Sequence, residues 1–421
     1  MIETEKNARE GATPPASASV VVVGAGFAGG SFLRSLSAPL RRPGETLLVD
    51  RREEYAFTPL IHEVAVGRIH PDSARTLIAP DGNALYGIMR TEATGVDLEK
   101  NTLLTSSGPI KYRYLVLAPG SIPIPPPERL SGYFHTFWSL ADALQLRASL
   151  NEAWRSHLLR RDSYPGGLTV AIVGGGATGV ELAAEIAVLF DYLKRRSIRT
   201  PDEEPRVVLL EATDRLMGWL QPYFHKVAIE ELSRLNVEVR LNAPVTMANE
   251  DGIEVDGEWL PAATRVWATG VLAHPLVKDL PGEHDDSGRI SVNAHLALPE
   301  RPEVYVLGDS GVYEHRRLGP LSPTASVAVQ QGPYVARDIG RRLRGVLEKR
   351  RPPFEFFDRG YVVSLGPGSA VANPLGVKLK GRAAQALYRS ILLYYMKSSR
   401  GRFLTGADWA MERALGRVGF P

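Results

Sequence analysis

The sequence predicts an α/β fold in which one strand–turn–helix–strand unit occurs twice. The first unit begins with four valines, Val20–Val23, which run directly into the glycine-rich turn Gly24–Gly29. A helix is expected after this turn, followed by a short apolar strand, Thr46–Val49, that ends at Asp50. The same parts recur in the same order in the middle of the chain. The repetition predicts two doubly wound parallel sheets in one chain.

The first turn has the residues that a dinucleotide site requires. Gly24 permits a tight turn, Gly26 lets the backbone approach a pyrophosphate, and Gly29 lets the helix pack closely on the strand. Asp50 follows Gly29 by 21 residues and can accept hydrogen bonds from a ribose. The free N–H groups at the start of the helix favour phosphate binding. The segment therefore predicts a Rossmann-like dinucleotide site.

The second turn predicts a second dinucleotide site. The apolar strand Thr169–Val173 enters Gly174–Gly179, and a later strand, Val207–Leu210, ends in Glu211. Glu211 follows Gly179 by 32 residues, rather than the usual spacing of about 20. Two dinucleotide sites imply two dinucleotides, and the natural pair is a tightly held flavin and an exchangeable nicotinamide.

Composition excludes several classes of function. The 421 residues are 44% apolar and 23% charged, and the net charge of +3 does not predict a nucleic-acid-binding protein. Cysteine is absent, so disulfides, thiolate metal sites and dithiol redox pairs are excluded. No metal site is expected. No apolar run reaches the ~20 residues that span a bilayer, and residues 1–18 are expected to form a disordered tail.

Two carboxylates, Glu181 and Glu185, are four residues apart on the helix that follows the second glycine turn. This spacing places them on one face of the helix. One interpretation is a first-turn acid that is stabilised by the helix dipole, together with a solvated acid. The alternative is that one or both face the nicotinamide and the electron acceptor.

Four further segments have small or polar residues, three of them at the end of a strand and one at the start of a helix. Ala118–Ser121 and Trp267–Gly270 each follow an apolar strand, and Gly308–Asp309 delivers a carboxylate at the end of another strand. Open α/β sheets bind ligands at such strand ends, although Ala118–Ser121 taken alone is more typical of a plain loop. Pro323–Gly332 is expected to begin a helix that runs to Leu347. Its two glutamines either bind a carbonyl-bearing ligand or form a polar face.

The C-terminal segment differs from the rest of the chain in charge. Lys378–Pro421 contains nine basic and two acidic residues, and Ala383–Met396 is apolar and aromatic with basic flanks. A helix of this kind is typical of an interfacial membrane anchor that binds anionic lipid. The alternative is a core-packing helix with a solvated basic rim. A symmetric homodimer through this region is a hypothesis that no individual residue supports.

Taken together, these motifs resemble the two-dinucleotide-binding flavoprotein oxidoreductases, and most closely the single-subunit, non-proton-pumping (type II) NADH dehydrogenases. The resemblance covers about residues 19–400. The segments that carry it are Gly24–Gly29 with Asp50, Phe57–Leu60, Val64–Gly67, Leu115–Ser121, Gly174–Glu185, Trp267–Val271, Gly308–Asp309 and Pro323–Gly332. The set is specific for the family, whereas each segment alone is not.

The resemblance implies non-covalent FAD at the first site and NADH as the substrate at the second. The residues implied for FAD are Gly24, Gly26, Gly29, Asp50, Ala118, Gly120, Asp309 and Ala325. Those implied for NADH are Gly174, Gly176, Gly179, Glu181, Glu211 and Gly270. Glu211 would repel the 2′-phosphate of NADPH.

The chain departs from the family pattern at two positions. Pro119 stands where the family has threonine. Ser326 stands where the quinone-side pattern Ala-Gln-x-x-x-Gln has its first glutamine, which leaves Gln330 as the remaining contact. The candidate catalytic residues are therefore Glu185, Gln330 and Gln331.

The resemblance implies an FAD-binding domain in two parts, residues 19–140 and 287–348, which an NADH-binding domain at 141–286 interrupts. Residues 349–421 are expected to form a helical or α+β membrane-associating region. The implied activity is hydride transfer from NADH to FAD, followed by electron transfer to a membrane quinone without proton pumping. The implied location is peripheral, at the cytoplasmic face of the cell membrane.

Two alternative functions remain open from the sequence. One is a soluble NADH-dependent reductase of an iron–sulfur or other iron carrier protein. The other is a redox-sensing NADH-binding flavoprotein that turns over poorly. The absence of cysteine argues against sulfide:quinone oxidoreductases and against glutathione- or thioredoxin-reductase-like enzymes.

Overall fold

The computed structural model describes residues 17–78, 85–159, 166–197, 204–396 and 398–415. Most of the predicted tail therefore lies outside the described residues. The helices α1 to α8 are Phe27–Arg34, Ile61–Ala65, Leu140–Leu158, Ala177–Arg196, Pro222–Arg234, Ala325–Leu343, Gly381–Tyr395 and Ser399–Leu415.

The strands are numbered β1 to β25 in chain order. Strands β1 to β9 are Ser17–Val23, Thr46–Val49, Glu54–Ala56, Arg75–Leu77, Gly87–Met89, Ala93–Asp97, Thr102–Thr105, Ile110–Leu117 and Ser121–Pro123. Strands β10 to β18 are His135–Thr136, Thr169–Val173, Arg206–Leu210, Val237–Arg240, Val245–Ala248, Gly252–Val255, Glu258–Pro261, Thr264–Trp267 and Val271–Ala273. Strands β19 to β25 are Ile290–Val292, Val304–Val306, Gly311–His315, Gly319–Pro320, Val362–Ser364, Ala370–Ala372 and Leu379–Lys380.

The chain divides into two compact units. The first unit contains the chain up to Tyr55, Leu77–Ile122 and Leu272–Asp358. The second contains Ala56–Thr76, Pro123–Val271 and the chain from Arg359 onward. These two units do not test the domain boundaries that were predicted from the sequence, and those boundaries remain predictions.

The first unit is built on a sheet in the order β5-β2-β1-β8-β7-β6, with β20 also paired to β8. Five strands run parallel to one another: β5, β2, β1, β8 and β20. β7 is antiparallel to both of its neighbours, β8 and β6. β1 lies between β2 and β8, and its last four residues, Val20–Val23, are buried, as is typical of a central parallel strand. The first glycine turn therefore lies at the carboxyl end of a central strand.

The second unit repeats this arrangement with a parallel sheet in the order β10-β17-β11-β12-β13. β11 is buried along its whole length between β12 and β17, and it ends in the second glycine turn. Two antiparallel sheets, β14-β15-β16 and β23-β24-β25, accompany it. The predicted α/β fold with two Rossmann-like sheets is confirmed, and the C-terminal part is α+β.

Local predictions hold where apolar strands meet glycine turns. The strands Thr46–Val49 and Thr169–Val173 have the predicted bounds. The prediction that the helix beginning near Pro323 reaches Leu347 is wrong. It ends at Leu343 because Gly345 adopts a left-handed conformation with φ of +75°. Among the described residues, no helix has the length and apolar character that crossing a membrane requires.

Candidate functional site

The first glycine turn leaves an open space at the start of α1. Gly24 has a φ of +89°, and a side chain there would collide with the carbonyl of Ala118. A Cβ at Gly29 would collide with the carbonyl of Gly24, so α1 packs directly on the turn. A Cβ at Gly26 would meet nothing within 4 Å. The space beside Gly26, at the start of α1, fits a pyrophosphate.

Asp50 is buried at the end of β2 and stabilises the same turn. Its Oδ2 accepts a hydrogen bond of 2.8 Å from the N–H of Ala25. Arg52 donates to both carboxylate oxygens, with distances of 3.1 Å from Nε and from one terminal nitrogen. Burial alone would raise the pKa of Asp50, but the hydrogen bonds and charge of Arg52 hold it below the ordinary value. Asp50 is therefore ionised, and it can accept from a ribose if Arg52 moves.

Asp309 lies in a short 3₁₀ turn, Gly308–Ser310, directly after β20. Ser121 donates a hydrogen bond of 2.7 Å to its carboxylate, and burial raises the pKa of Asp309. The hydroxyl of Ser310 donates to the carbonyl of Gly120 at 2.6 Å. The first unit thus brings the strand ends at Gly120 and Asp309 together. The donors and acceptors around the turn fit an FAD molecule, and Ala325, at the start of α6, belongs to the same unit.

The second glycine turn has the same geometry. Gly174 has a φ of +115° and lies against the carbonyl of Ala268, and a Cβ at Gly179 would collide with the carbonyl of Gly174. A Cβ at Gly176 would again meet nothing within 4 Å. The equivalent of Asp50 is Glu211, whose Oε2 accepts from the N–H of Gly175 at 2.7 Å. The two units therefore contain the same nucleotide turn in detail.

Three groups around the second turn fit a nicotinamide dinucleotide. The hydroxyl of Thr269 is buried and has no hydrogen-bond partner within the described residues. Gly270, which follows it, has a φ of +118°. The second oxygen of Glu211 accepts from both the N–H and the hydroxyl of Thr213, at 2.8 Å each. A carboxylate held in this way presents fixed negative charge at the end of β12.

Neither Glu181 nor Glu185 is solvated, which contradicts the first interpretation of this pair. Glu181 has a side chain that is 15% exposed, and its carboxylate accepts from the N–H of Ser364 at 3.1 Å. Burial raises the pKa of Glu181. Glu185 is 0% exposed and forms an ion pair of 2.6 Å with Arg68. Both carboxylates therefore belong to the interior of the second unit.

The sequence indicated no role for His62, but the structure places it in this interior. Its Nδ1 lies 3.8 Å from the carboxylate of Glu181, and its Nε2 lies 3.4 Å from the hydroxyl of Tyr388. Arg68, which the sequence analysis did not single out, is the partner of Glu185. No motif marked either residue, because the contact depends on α2 packing on α4.

Both candidate glutamines form hydrogen bonds within the first unit. The amide oxygen of Gln331 accepts from the N–H of Gly308 at 2.7 Å, which fixes the turn that holds Asp309. Gln330 donates to the carbonyl of Phe357 and accepts from its N–H, at 3.1 Å each. The hydroxyl of Ser326 is buried without a hydrogen-bond partner within the described residues. It is therefore available to a ligand at the start of α6.

Comparison with known proteins agrees with this geometry. A family model described as pyridine nucleotide-disulphide oxidoreductase matches residues 18–332. The type II NADH:quinone oxidoreductase Ndh of Mycobacterium tuberculosis is 30% identical to the chain and aligns with 95% of it and 89% of its own length. The demethylphylloquinone reductase NdbB of Synechocystis is 27% identical and aligns with 94% of the chain and 96% of its own length.

Solved structures show the same fold. NDH2 from Plasmodium falciparum in complex with NADH superposes with a TM-score of 0.84 at 18% identity, and the match covers 94% of this chain and 98% of that one. The sulfide:quinone oxidoreductase of Aquifex aeolicus has the same fold at a TM-score of 0.73 and 17% identity, covering 94% and 95% of the two chains. The present chain lacks cysteine, so disulfide chemistry is not available to it. The chain belongs to the pyridine nucleotide-disulphide oxidoreductase family, among the type II NADH:quinone oxidoreductases.

Proposed function

We propose that the protein oxidises NADH and passes the electrons, through non-covalently bound FAD, to a membrane quinone without pumping protons. The observation that carries this proposal is the repeated nucleotide turn, once in each unit, in a chain without cysteine. Two nucleotide sites without a dithiol leave direct transfer from flavin to acceptor as the available route. The similarity to quinone oxidoreductases over nearly the whole chain supports the quinone as the acceptor.

Residues of the first unit would hold the FAD. Gly24, Gly26 and Gly29 leave room for its pyrophosphate, and Asp50 accepts from its ribose. The residues that complete this site are Ala118, Gly120, Asp309 and Ala325. Bound flavin supplies the two-electron redox chemistry that protein side chains lack. The protein's own part is to bind, to orient and to set the local charge.

Residues of the second unit bind NADH as the substrate. Gly174, Gly176 and Gly179 form the pyrophosphate turn, and the buried hydroxyl beside Gly270 provides a further polar contact. Glu211 accepts from the adenosine ribose and repels a 2′-phosphate, so NADH is preferred over NADPH. Glu181 lies on the helix that begins at this turn.

Glu185, Gln330 and Gln331 are proposed to serve the quinone half of the reaction. Gln331 acts by fixing Gly308, the residue before Asp309, through the hydrogen bond of 2.7 Å. The orphaned hydroxyl of Ser326 replaces the missing family glutamine as a polar contact. Glu185 serves the quinone half of the reaction while it is held in the buried ion pair with Arg68.

The experiment that tests this function separates its two halves. Mixing FAD-loaded protein with NADH in the absence of oxygen should bleach the flavin, and a soluble quinone should restore its colour. Glu185→Gln should slow the second step more than it slows NADH oxidation by an artificial acceptor. Glu230→Gln makes the same change at an exposed position of α5 and should affect neither step. Equal slowing of both steps in Glu185→Gln would refute its role with quinone.

We also propose that the C-terminal region attaches the protein to an anionic membrane surface, at the cytoplasmic face, as a peripheral protein. Phe403 and Tyr394 support this because their side chains are 75% and 69% exposed. Lys378, Lys380 and Arg382 supply positive charge in the same segment. A homodimer through this region remains a hypothesis, which sedimentation of the FAD-loaded protein would test.

A further inference from the structure

Four ionisable side chains meet in the interior of the second unit. Arg68 lies 2.6 Å from Glu185 of α4, 2.9 Å from Glu412 of α8, and 3.6 Å from Glu63 of α2. The side chains of Arg68 and Glu63 are 1% exposed and that of Glu185 is 0% exposed, whereas Glu412 is 17% exposed. One guanidinium group therefore faces three carboxylates, and only one of the three reaches solvent.

This arrangement cannot hold all of its groups in the charged form at low cost. Within this group of four, full ionisation would give three negative charges and one positive charge, and the cationic Arg389 of α7 also acts on Glu63. Burying an uncompensated charge costs several kcal/mol, so such a group takes up a proton instead. Arg68 stays charged, because its carboxylate neighbours raise its pKa beyond the opposing effect of burial. A proton on one carboxylate lowers the excess within this group of four from two negative charges to one.

Glu63 is the carboxylate that the geometry selects. Glu185 and Glu412 each form a close ion pair with Arg68, whereas the nearest oxygen of Glu63, Oε1, lies 3.6 Å away. That oxygen is buried and has no hydrogen-bond partner among the described residues. The other oxygen accepts a hydrogen bond of 2.6 Å from the indole N–H of Trp409. A carboxylate is poorly stabilised when one of its oxygens is buried without a hydrogen-bond donor, and this favours protonation at Oε1.

The surrounding charges agree with this assignment. Burial raises the pKa of Glu63, and the nearby Glu185 raises it further. Arg68, Trp409 and Arg389 of α7 lower this pKa, but they do not cancel the rise. Arg389 lies over the ring of Trp409, with 4.8 Å from its guanidinium carbon to the ring centroid.

The neighbouring residue His62 faces a separate group of side chains. Its contacts are Glu181 at 3.8 Å and Tyr388 at 3.4 Å. The imidazole of His62 therefore lies beside a second buried carboxylate, Glu181.

We propose that Glu63 stores a proton: its carboxyl group is protonated in the oxidised protein, and it supplies the proton that the acceptor needs in addition to the hydride. This delivery role rests on the proposed function. Reduction of a quinone to a quinol takes up two electrons and two protons. The hydride of NADH brings two electrons and one proton, so one more proton is required.

The step balances without any further reactant. The O–H bond of Glu63 breaks, its electron pair stays on the carboxylate, and the proton forms an O–H bond of the quinol. Arg68 is placed to stabilise the carboxylate that remains. Solvent then returns a proton through the side of the cluster where Glu412 is partly exposed. Glu63 is thus a proton-storing residue, and Arg68 is a positioning residue.

Infrared spectroscopy of the full-length, FAD-loaded protein tests the proposal. The oxidised protein should show a C=O stretching band of a protonated carboxylic acid that belongs to Glu63, and Glu63→Gln should remove this band, whereas any band of the other buried acids, Glu181 and Asp309, should stay. Reduction by NADH followed by a single turnover with soluble quinone should deplete the band transiently. Glu230→Gln, the same change at an exposed site, should leave the band in place. A spectrum of Glu63→Gln identical to that of the unaltered protein would overturn the proposal.

A second variant keeps the test valid if Glu63→Gln does not fold. Trp409→Phe removes the N–H that bonds to Glu63 and keeps an aromatic ring, although a smaller one, and it should shift the same band to higher frequency. An unshifted band would overturn the assignment to Glu63.

In kinetics, Glu63→Gln should slow the quinone step by on the order of 100-fold and leave flavin reduction by NADH unchanged. Unchanged quinone kinetics would refute the delivery role. Absence of quinone turnover in the unaltered protein would instead refute the proposed function, since the band is measured independently of turnover.

Discussion

At the scale of single residues, the two nucleotide turns differ in what their acidic residues bind. Asp50 and Glu211 each accept a hydrogen bond from the backbone N–H next to the first glycine of their own turn. Asp50 is also paired with Arg52, whereas Glu211 is bonded to Thr213. Glu211 therefore has no cationic partner among the hydrogen bonds and ion pairs of the described residues.

Glu211→Ser should shift the preference from NADH toward NADPH. The substitution removes the negative charge that repels the 2′-phosphate, so kcat/KM for NADPH should rise relative to that for NADH by about 10- to 100-fold, or ~1.4–2.8 kcal/mol. Asp214→Asn removes one negative charge from the same loop and is the matched control. An equal shift in Asp214→Asn would mean that general charge, rather than Glu211, determines the preference.

The buried Glu63 should make the protein less stable as pH rises. Its pKa is raised by burial, so the folded state binds more protons than the unfolded state at pH values above the ordinary pKa of Glu. The stability that this group contributes is therefore present at low pH and is lost as pH rises toward the folded pKa. Thermal unfolding at about pH 5 and pH 8 should show a smaller loss of Tm in Glu63→Gln than in the unaltered protein. Equal losses would show that Glu63 has an ordinary pKa.

Residue identity alone indicated the nucleotide contacts but not the buried cluster. Gly26 and Gly176 are recognisable because a fixed spacing between glycines serves one local turn. His62, Glu63 and Arg68 have no such spacing to their partners. Their environment depends on the packing of α2 on α4 and of α8 on the segment around Ser73. The hydroxyl of Ser73 donates a hydrogen bond of 2.6 Å to Asp408 of α8. Contacts between residues more than 300 positions apart leave no local pattern in one sequence.

At the scale of elements, each nucleotide turn combines one glycine that the fold needs with one that the ligand needs. A Cβ at Gly29 collides with the backbone of Gly24, whereas a Cβ at Gly26 meets only open space. Gly26 also has a φ of −62°, which lies outside the left-handed region that favours glycine. The two positions therefore separate folding from binding within a single turn.

Gly29→Ala should destabilise the protein by about 1–3 kcal/mol, because α1 must move away from the turn. Gly26→Ala should leave the Tm of the FAD-free protein unchanged and should weaken FAD binding, because its methyl group occupies the space left for the pyrophosphate. Thermal unfolding and FAD fluorescence titration measure the two effects. A Gly26→Ala variant that binds FAD normally would show that the open space is not the pyrophosphate site.

Elements were predicted well where short apolar strands meet glycine turns and poorly near the C-terminus. Strands β2 and β11 have the predicted bounds because a fully buried parallel strand has a continuous apolar sequence. Helix α8 was not predicted as a helix of its own. Its buried residues, such as Trp409 and Thr405, are interspersed with arginines and with the exposed Phe403, so its apolar periodicity is weak.

At the scale of the whole molecule, membrane attachment should depend on exposed aromatic side chains in the C-terminal region. Replacing both Tyr394 and Phe403 by serine should reduce pelleting with anionic liposomes, because each side chain loses its burial in lipid. Trp259→Ser removes an exposed aromatic residue from β16 and should not change pelleting. The same loss in both proteins, or no loss in either, would contradict attachment through this region. Deleting the whole region is a poorer test, because Tyr388 and Trp409 are part of the interior of the second unit.

The most direct test of the central claim is steady-state oxidation of NADH by the purified, FAD-loaded protein with a soluble quinone, with and without anionic liposomes. Turnover should require quinone, prefer NADH over NADPH, and increase when lipid is added. Flavin that NADH reduces but no quinone reoxidises would contradict the proposed function. Turnover restored by an iron–sulfur or other iron carrier protein would then indicate a soluble reductase. A persistent charge-transfer band of reduced flavin with NAD would indicate a redox sensor.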